Sequence, residues 1–599
     1  MTTKIINKFH DAAANGMVGV VNNSLRKNKC DIDCQNDKGW TALMLAARNC
    51  QNDVVNVLLA HKCNLDLQDN HGGTALMFAA HNGNTDIANT LVDNNCNLDL
   101  QDNNGGTALM LAVYCGQKNV VDTLLTRHSN IDAQNNTGGT ALMIAAEKGH
   151  KEIVEALLAH NCNLDLQDKI GGTALMLAVY RGHKNVVYTL LTRHSNIDAQ
   201  NNTGGTALMI AAEKGRKDVI DALLAHNCNL DVQNNIGGSV LMIAAETGNK
   251  DIVKALLAHK CNLDLQNNNG WTALMIAADK GHRHVVDALL AHKSNLDLQN
   301  NDGRSALILA ALACHKNIVD TLLAHKCNLD LQCIKGGTAL LYAACKDHKD
   351  IVEALLAHKC NPDLQDINGA TVLMNVTSFG HSRVINSLLA HNCNVNLQND
   401  HGVTALMSAI DKGQKDIVDM LLAHNCNLDV QSNEGGTALM CAASHGYKDI
   451  VVKLLGMKCN LDLQSTKGKD TALMMAADEG HEDVVDALIR HKCKLDLKDS
   501  NGFTALVCAK VRNHVGVVTL IENQLRRDRN WDQRKALMLV LLGSNYLPSS
   551  SSLIVPLSSP VDAGLVAQTP VVPEVADLTT SVEKVLHDMF LVQHIMRYI

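Results

Sequence analysis

The chain is poor in aromatic residues, in proline and in long apolar runs. Its 599 residues include 3 Trp, 7 Tyr, 5 Phe and 6 Pro. No stretch of about 18 apolar residues occurs, so we expect no membrane-spanning helix, and the N-terminus lacks the apolar run of a signal peptide. The formal net charge of -8 offers no general attraction to nucleic acid or to an anionic membrane surface. We therefore expect a protein of the cytoplasm or the nucleus.

Sequence motifs of catalysis are also missing. The chain has no G-x-x-x-x-G-K-[ST] phosphate loop, no H-E-x-x-H, no G-x-S-x-G and no G-x-G-x-x-G that opens a helix after a strand. The sequence therefore predicts a protein that is not an enzyme and that carries no cofactor.

Repetition is what the sequence has in abundance. A tetrapeptide such as TALM, SVLM or TVLM returns at a constant interval, except that the step into Thr471 is one residue longer. A fixed period of about 33 residues is typical of a solenoid, in which each unit buries its apolar face only against its neighbours. The tetrapeptides begin at Thr41, Thr74, Thr107, Thr140, Thr173, Thr206, Ser239, Thr272, Ser305, Thr338, Thr371, Thr404, Thr437, Thr471 and Thr504.

One unit is predicted to form two helices and a loop. The hydroxyl of Thr140 can cap a first helix, which Gly149 ends. The second helix, "HKEIVEALLAH", carries Ile, Val and two Leu at helical spacing, which predicts one buried side. The segment "CNLDLQDKIGG" then alternates apolar and polar residues up to a glycine pair, as expected of an extended finger with a tight turn.

This unit resembles the ankyrin repeat, in which about 33 residues form a turn and two helices around a T-P-L-H-x-A signature. The resemblance covers about residues 8–525. Ala or Val replaces the Pro of the signature in every copy, and Met replaces its His in twelve of fifteen, so we expect an apolar Met contact there. The resemblance implies an all-α solenoid that binds other proteins through its fingers and its concave helical face. We also expect the chain to be a monomer.

The residue that follows the second helix departs from the family, which usually has Gly there. If this position requires a left-handed backbone, Asn tolerates it, whereas Lys and His each cost roughly 1 kcal/mol. We predict that exchanging such a Lys for Gly raises stability. The residues at this position are Lys29, Lys62, Asn95, His128, Asn161, His194, Asn227, Lys260, Lys293, Lys326, Lys359, Asn392, Asn425, Lys458 and Lys492.

Cysteine, histidine and aspartate also recur in columns. Twelve of the 20 Cys share one position of the repeat, where Ser129, Ser195 and Ser294 stand in the other units. His precedes Cys by two residues in most of these units, but the chain has no C-x-x-C, so we predict no zinc site. Stacked units lie about 8–10 Å apart, whereas a disulfide needs Cα atoms within roughly 7 Å, so we expect buried small thiols without bridges. The Asp residues of the fingers, such as Asp66 and Asp99, are a full repeat apart, too far to act on one substrate atom. We expect them to be solvated.

The sequence divides into five segments. Residues 1–33 are predicted to be a degenerate N-terminal capping repeat, 34–525 the repeat array, 526–547 a C-terminal cap helix, 548–579 a Pro/Ser-rich linker and 580–599 an amphipathic helix. The basic residues of the cap segment alternatively form a nuclear-import signal. If the last helix is presented to another protein, the chain is a substrate-recruiting adaptor of a ubiquitin ligase rather than a plain scaffold.

Two details concern how the array is built. Residues 123–149 are identical to residues 189–215, so a two-repeat unit has been copied. The extra residue of "STKGKDTALM" falls in a finger turn, and we expect the helices on both sides to keep their register.

The aromatic residues indicate where a partner binds. Ten lie between Trp40 and Phe503, and six of them occupy only three positions of the repeat, just before the Thr and seven or eight residues after it. Exposed rings are the usual anchors of protein interfaces; the alternative is that each ring covers the neighbouring finger. We predict that the partner-binding residues are Trp40, Tyr114, Tyr180, Trp271, Phe379 and Phe503, with Arg304 as a polar companion.

Overall fold

The computed structural model describes residues 3–543, with side chains described for residues 4–533. This part of the chain holds 32 α-helices and no strand, and one isolated bridge joins Gln365 to Thr371. The expected all-α architecture is confirmed. None of the helices in the described residues combines the length and the apolar character needed to cross a bilayer. The predicted linker and the predicted C-terminal helix lie outside the described residues.

The helices are numbered in chain order. They are α1 Thr3–Ala14, α2 Val18–Arg26, α3 Ala42–Arg48, α4 Asn52–Ala60, α5 Ala75–Asn82, α6 Thr85–Asp93, α7 Ala108–Tyr114, α8 Lys118–Thr126, α9 Ala141–Lys148, α10 Lys151–Ala159, α11 Ala174–Arg181, α12 Lys184–Leu191, α13 Ala207–Glu213, α14 Lys217–Ala225, α15 Val240–Thr247, α16 Lys250–Ala258, α17 Ala273–Lys280, α18 Arg283–Ala291, α19 Ala306–Leu312, α20 Lys316–Ala324, α21 Ala339–Cys345, α22 Lys349–Ala357, α23 Val372–Phe379, α24 Ser382–Ala390, α25 Ala405–Asp411, α26 Lys415–Leu422, α27 Ala438–Ser444, α28 Lys448–Gly456, α29 Ala472–Glu479, α30 Glu482–Arg490, α31 Ala505–Val511 and α32 Val515–Gly543.

A typical unit packs its two helices together and packs both on the next unit. The first helix of one unit contacts the first helix of the next, for example α3 with α5. The second helices contact each other in the same way, for example α4 with α6. The predicted degenerate N-terminal unit stacks in the same way, because α1 packs on α3 and α2 on α4. Its Phe9 is only 2% exposed. The core is therefore one continuous apolar column that neighbouring units share.

The first helix of the unit begins at the expected cap. The Thr140 hydroxyl accepts a hydrogen bond from the Met143 backbone N–H at 3.2 Å, and the same bond recurs in most units. The Met side chain that replaces the signature His is buried, 2% exposed at Met143. In the first unit of the array, the Met44 sulfur lies 3.4 Å from the Thr41 backbone nitrogen. The predicted packing of the Met in the apolar core is confirmed, but at Met44 the sulfur also accepts a hydrogen bond from the Thr41 N–H, a polar contact that was not predicted.

The left-handed backbone after the second helix is confirmed at fourteen of the fifteen predicted positions. Lys260, for example, has φ 59° and Asn227 has φ 55°. Lys29 is the exception, because Asn28 takes the left-handed conformation with φ 49°. In that unit the Asn28 and Lys29 backbone N–H groups donate to the Leu25 and Ser24 carbonyls, the bonds that Lys62 and Cys63 make at the end of the next second helix. The prediction for Lys29 was wrong because the second helix of the degenerate unit closes one residue earlier than the others.

The fingers are joined by a ladder of glutamine side chains. Gln233 donates from Nε2 to the Gly237 carbonyl of its own finger at 2.6 Å and to the Gln266 carbonyl of the next finger at 2.9 Å. The bond to the next finger recurs from Gln35 to Gln464. Most of these Nε2 groups thus fix the turn of one finger and its spacing from the next.

The one longer step of the repeat leaves the stack intact. The inserted residue lies in the finger turn, where Lys469 takes a positive φ of 54° and Ser465 donates from its backbone N–H to the Asp470 carbonyl at 2.9 Å. Across the insertion α27 packs on α29 and α28 on α30. The prediction that both helix pairs keep their register is confirmed, since the added length is taken up by a loop.

The second helix of the last unit is longer than the others. Helix α32 contains 29 residues, whereas the second helices of the other array units have only eight or nine. Residues 526–543 of the predicted cap segment continue this helix without a break.

Candidate partner-binding surface

The ends of the first helices form a surface, here called the first-helix surface, that consists of the residues seven and eight positions after each opening Thr or Ser. Tyr114 is the last residue of α7, and its side chain is 54% exposed. The amino group of Lys148, from α9 of the next unit, lies 4.1 Å from the centre of the Tyr114 ring. This distance allows a cation–π interaction, which leaves much of the ring open to solvent.

The same arrangement occurs again in the copied units. Tyr180, on α11, is 48% exposed, and the Lys214 amino group lies 4.7 Å from its ring centre. The Arg181 guanidinium is also close to this ring and pairs with Glu147 at 2.6 Å. The sequence segments that contain these residues are near copies, so the structure repeats the pair two units further along the chain.

Phe379 is exposed on the same surface, several units away. Its ring is 52% exposed and lies 5.7 Å from the ring of His381. It is the last residue of α23, and the equivalent residue of the next unit is Lys412, which follows the end of α25. The structure therefore does not bring Phe379 together with Tyr114 or Tyr180.

Trp40, at the tip of the first finger, is built into the stack. Its indole N–H donates to the Asp69 carboxylate of the next finger at 2.8 Å, and its ring meets Phe78 edge to face at 6.0 Å. Lys38 and Arg48 also lie against the indole system, 4.9 Å and 4.6 Å from the ring centre. These contacts support the alternative for this one residue, in which the ring covers its neighbour.

The other finger-tip residues, Trp271, Arg304 and Phe503, make fewer side-chain contacts with the next unit than Trp40 does. Trp271 is half-buried and packs against the core, while Phe503 is 40% exposed. The Arg304 guanidinium lies 5.8 Å from the ring centre of Tyr342. Tyr342 was not among the predicted binding residues. Its position holds Leu or Ile in eight of the fifteen units, so an aromatic residue there was the signal that could have revealed it.

Tyr342 also contacts a buried thiol. Its hydroxyl lies 3.3 Å from the Cys333 sulfur, and burial, followed by this contact, raises the pKa of Tyr342 to about 12. The phenol is therefore neutral at physiological pH and acts as a hydrogen-bonding group.

The aspartate column of the fingers links neighbouring units rather than standing free in solvent. The Asp198 carboxylate accepts a hydrogen bond from the Asn229 backbone N–H of the next finger at 2.9 Å, and this bond recurs along the array. The expectation of merely solvated Asp side chains was incomplete, because the finger spacing brings each carboxylate to the next backbone. The nearby Cys228 thiol is buried; desolvation, then the charge of Asp198, raises its pKa to about 11.

Comparison with known families agrees with this architecture. A family model described as ankyrin repeats in three copies matches residues 9–102, 82–168, 160–234, 208–300, 289–366, 340–432, 372–465 and 439–530. A comparison with curated protein sequences finds no match. Because the matched segments run without a gap from residue 9 to residue 530, and because the helices pair and stack as the repeat requires, the chain belongs to the ankyrin-repeat family.

Proposed function

We propose that the array is a non-enzymatic scaffold that binds partner proteins through the first-helix surface and the finger tips. Ankyrin repeats are in general protein–protein interaction modules. The observation that carries the proposal is the pair of half-exposed tyrosines, Tyr114 and Tyr180, each beside a lysine of the next unit. On the family's geometry this surface is the concave one.

The stack does not require these rings. Other units carry Glu147, Glu213 and Glu246 at the position of the tyrosines, and they pack their helices in the same way. An exposed tyrosine offers a large apolar area, a hydroxyl and little conformational entropy to lose, which is why it anchors interfaces so often. Two such anchors with the same lysine neighbour support a binding role for this surface.

The test compares two sets of tyrosine exchanges in the full chain. Tyr114→Glu with Tyr180→Glu introduces the residue that other units use at that position. The matched control is Tyr188→Asp, because Tyr188 is 45% exposed on the second helix α12, where another unit has Asp221. Affinity purification followed by mass spectrometry should recover the same partners with wild type and control, and should lose them with the double variant.

Each outcome of this test bears on the proposal. Loss of partners with Tyr188→Asp but not with the double variant would move binding to the second helices and contradict the proposal. The stability of the double variant should match that of wild type within about 0.5 kcal/mol, since both rings are exposed. A large fall in melting temperature would mean that the rings serve the fold.

A second exchange tests the finger tips. Trp271→Gly with Arg304→Gly introduces the Gly that other units carry at this position. We expect partner recovery to be abolished, together with a moderate fall in melting temperature, because the half-buried Trp271 ring packs against the core. Recovery is therefore measured well below the melting temperature of the variant. Undiminished recovery would remove the finger tips from the binding surface and leave the first-helix surface alone.

A further inference from the structure

Three side chains with metal-binding chemistry meet between two neighbouring units. Asp411 is the last residue of α25, Cys441 lies on α27, and His445 follows the end of α27. A carboxylate oxygen of Asp411, the Cys441 sulfur and a ring nitrogen of His445 all lie within 4.8 Å of one another. Cys441 and His445 are four residues apart and so share one face of the helix.

The histidine is oriented as a metal ligand would be. Its Nδ1 lies 2.9 Å from the Cys441 carbonyl oxygen. A carbonyl only accepts, so Nδ1 carries the proton and Nε2 keeps its lone pair in the neutral ring. Nε2 lies 3.8 Å from Asp411 Oδ1. Metal-binding histidines almost always make such a bond with their other nitrogen, because it fixes the tautomer and the ring plane.

A second contact holds the ring in place. The Tyr447 ring stacks on His445 with 5.4 Å between the ring centres and 14° between the planes. The Cys441 sulfur lies 3.9 Å from Nδ1 of the same imidazole. Asp411 and His445 are both partly open to solvent, so an ion can enter.

We propose that Asp411, Cys441 and His445 bind a divalent transition-metal ion, and that the ion is Zn²⁺. One thiolate, one imidazole and one carboxylate form a donor set that suits this borderline-soft ion, and three protein ligands leave a fourth position for water or a partner's side chain. The site revises the expectation that the chain binds no metal. That expectation considered the repeated His and Cys columns, whereas this cluster occurs outside them.

Binding requires the Cys441 thiol to lose its proton. Burial, followed by the charge of Asp411, raises the pKa of Cys441 to about 12, so the free thiol is protonated at neutral pH. The ion replaces that proton, which is released to solvent as the metal–sulfur bond forms. Lys412 lies 3.3 Å from the other Asp411 oxygen and is the cation that the ion has to compete with.

The last units of the array contain a natural counterpart without the histidine. Asp478, Cys508 and Arg512 occupy the same three positions of the repeat. The Arg512 guanidinium donates to both Asp478 oxygens at 2.9 and 3.0 Å, so this carboxylate already has its cation. One exchange, His445→Arg, should therefore convert the proposed site into an ion pair.

The experiment is a Co²⁺ titration of the purified full-length chain under reducing conditions. Co²⁺ bound to a thiolate gives a sulfur-to-cobalt charge-transfer absorption, which reports the Cys ligand directly. Wild type should bind one equivalent of Co²⁺ that Cys441→Ser and His445→Arg remove. Each exchange should lower the Co²⁺ affinity by more than 100-fold, because losing a residue that merely hydrogen-bonds to a metal ligand already costs roughly 10- to 100-fold. The control Cys508→Ser should bind Co²⁺ as wild type does.

Folding of the variants is checked by melting temperature without metal. Ser408 already occupies the Cys441 position one unit earlier, and Asn49 the His445 position elsewhere, so Cys441→Ser and His445→Asn should fold. The same charge-transfer step in wild type and in both of these variants, or no step in wild type, would overturn the proposal. Excess Zn²⁺ should raise the melting temperature of wild type more than that of His445→Asn, because the ion binds only the folded site.

Discussion

The fingers and the first-helix surface of the same units differ in what they repeat. In the fingers one glutamine bond recurs from Gln35 to Gln464, always from Nε2 to a backbone carbonyl of the next finger. On the first-helix surface, by contrast, the position seven residues after the Thr changes from His81 to Tyr114 to Glu147 in three successive units. The fold therefore depends on the positions that repeat, whereas the positions that vary are free to recognise a partner or an ion.

The largest effect should come from a finger glycine. Gly237 has φ 77°, and a Cβ there would lie 2.6 Å from the Asn268 backbone nitrogen of the next finger. Gly237→Ala should lower the free energy of unfolding by about 2–3 kcal/mol through backbone strain and this contact. Denaturant unfolding measures the loss, and hydrogen exchange should place it in these two fingers.

Gly456→Ala is the matched control. Gly456 lies in helix α28, and a Cβ there would meet nothing within 4 Å. This exchange should raise stability by about 0.5–1 kcal/mol because Ala has the lower entropy cost in a helix. Equal effects of the two exchanges would mean that the finger turn is not strained by a side chain.

The glutamine ladder should give an effect of intermediate size. Gln233→Ala removes the bonds from one Nε2 to two carbonyls. The side chain is exposed, so we expect a loss of about 1 kcal/mol rather than the full value of two bonds. Gln233→Glu keeps the size but lacks the N–H donor. If denaturant unfolding shows that the Glu variant is as stable as wild type, Gln233 stabilises the fingers by packing and not by hydrogen bonding.

A smaller gain is expected where the array departs from its family. Lys260 has φ 59°, so Lys260→Gly should raise the free energy of unfolding by up to about 1 kcal/mol as the left-handed strain is relieved. Asn227→Gly should gain less, because Asn tolerates this conformation at φ 55°. A lower melting temperature for Lys260→Gly would mean that Lys makes stabilising contacts that offset the strain.

The sequence predicted most of the fold because each unit follows local rules. The Thr cap, the apolar stripe and the left-handed position are each set by residues close together in the chain, and fifteen copies make the period unmistakable. The failure at Lys29 came from the degenerate N-terminal unit, whose second helix closes one residue earlier than those of the array. Trp40 and Tyr114 were predicted to have one role, yet Trp40 donates to Asp69 while Tyr114 stays exposed. Ring exposure depends on what the next unit places opposite the ring.

The amino-acid sequence by itself determined the repeat, the two-helix unit and the residues that cap and end its helices, since these depend on neighbours along the chain. The tertiary structure decided which side chains of adjacent units meet. Lys148 reaches Tyr114, and Arg304 reaches Tyr342, only because of the offset at which one unit stacks on the next. The meeting of Asp411 with His445 has the same cause. That offset is set by the packing of whole helices and not by any one residue, which is why the proposed metal site could not be inferred from the sequence pattern.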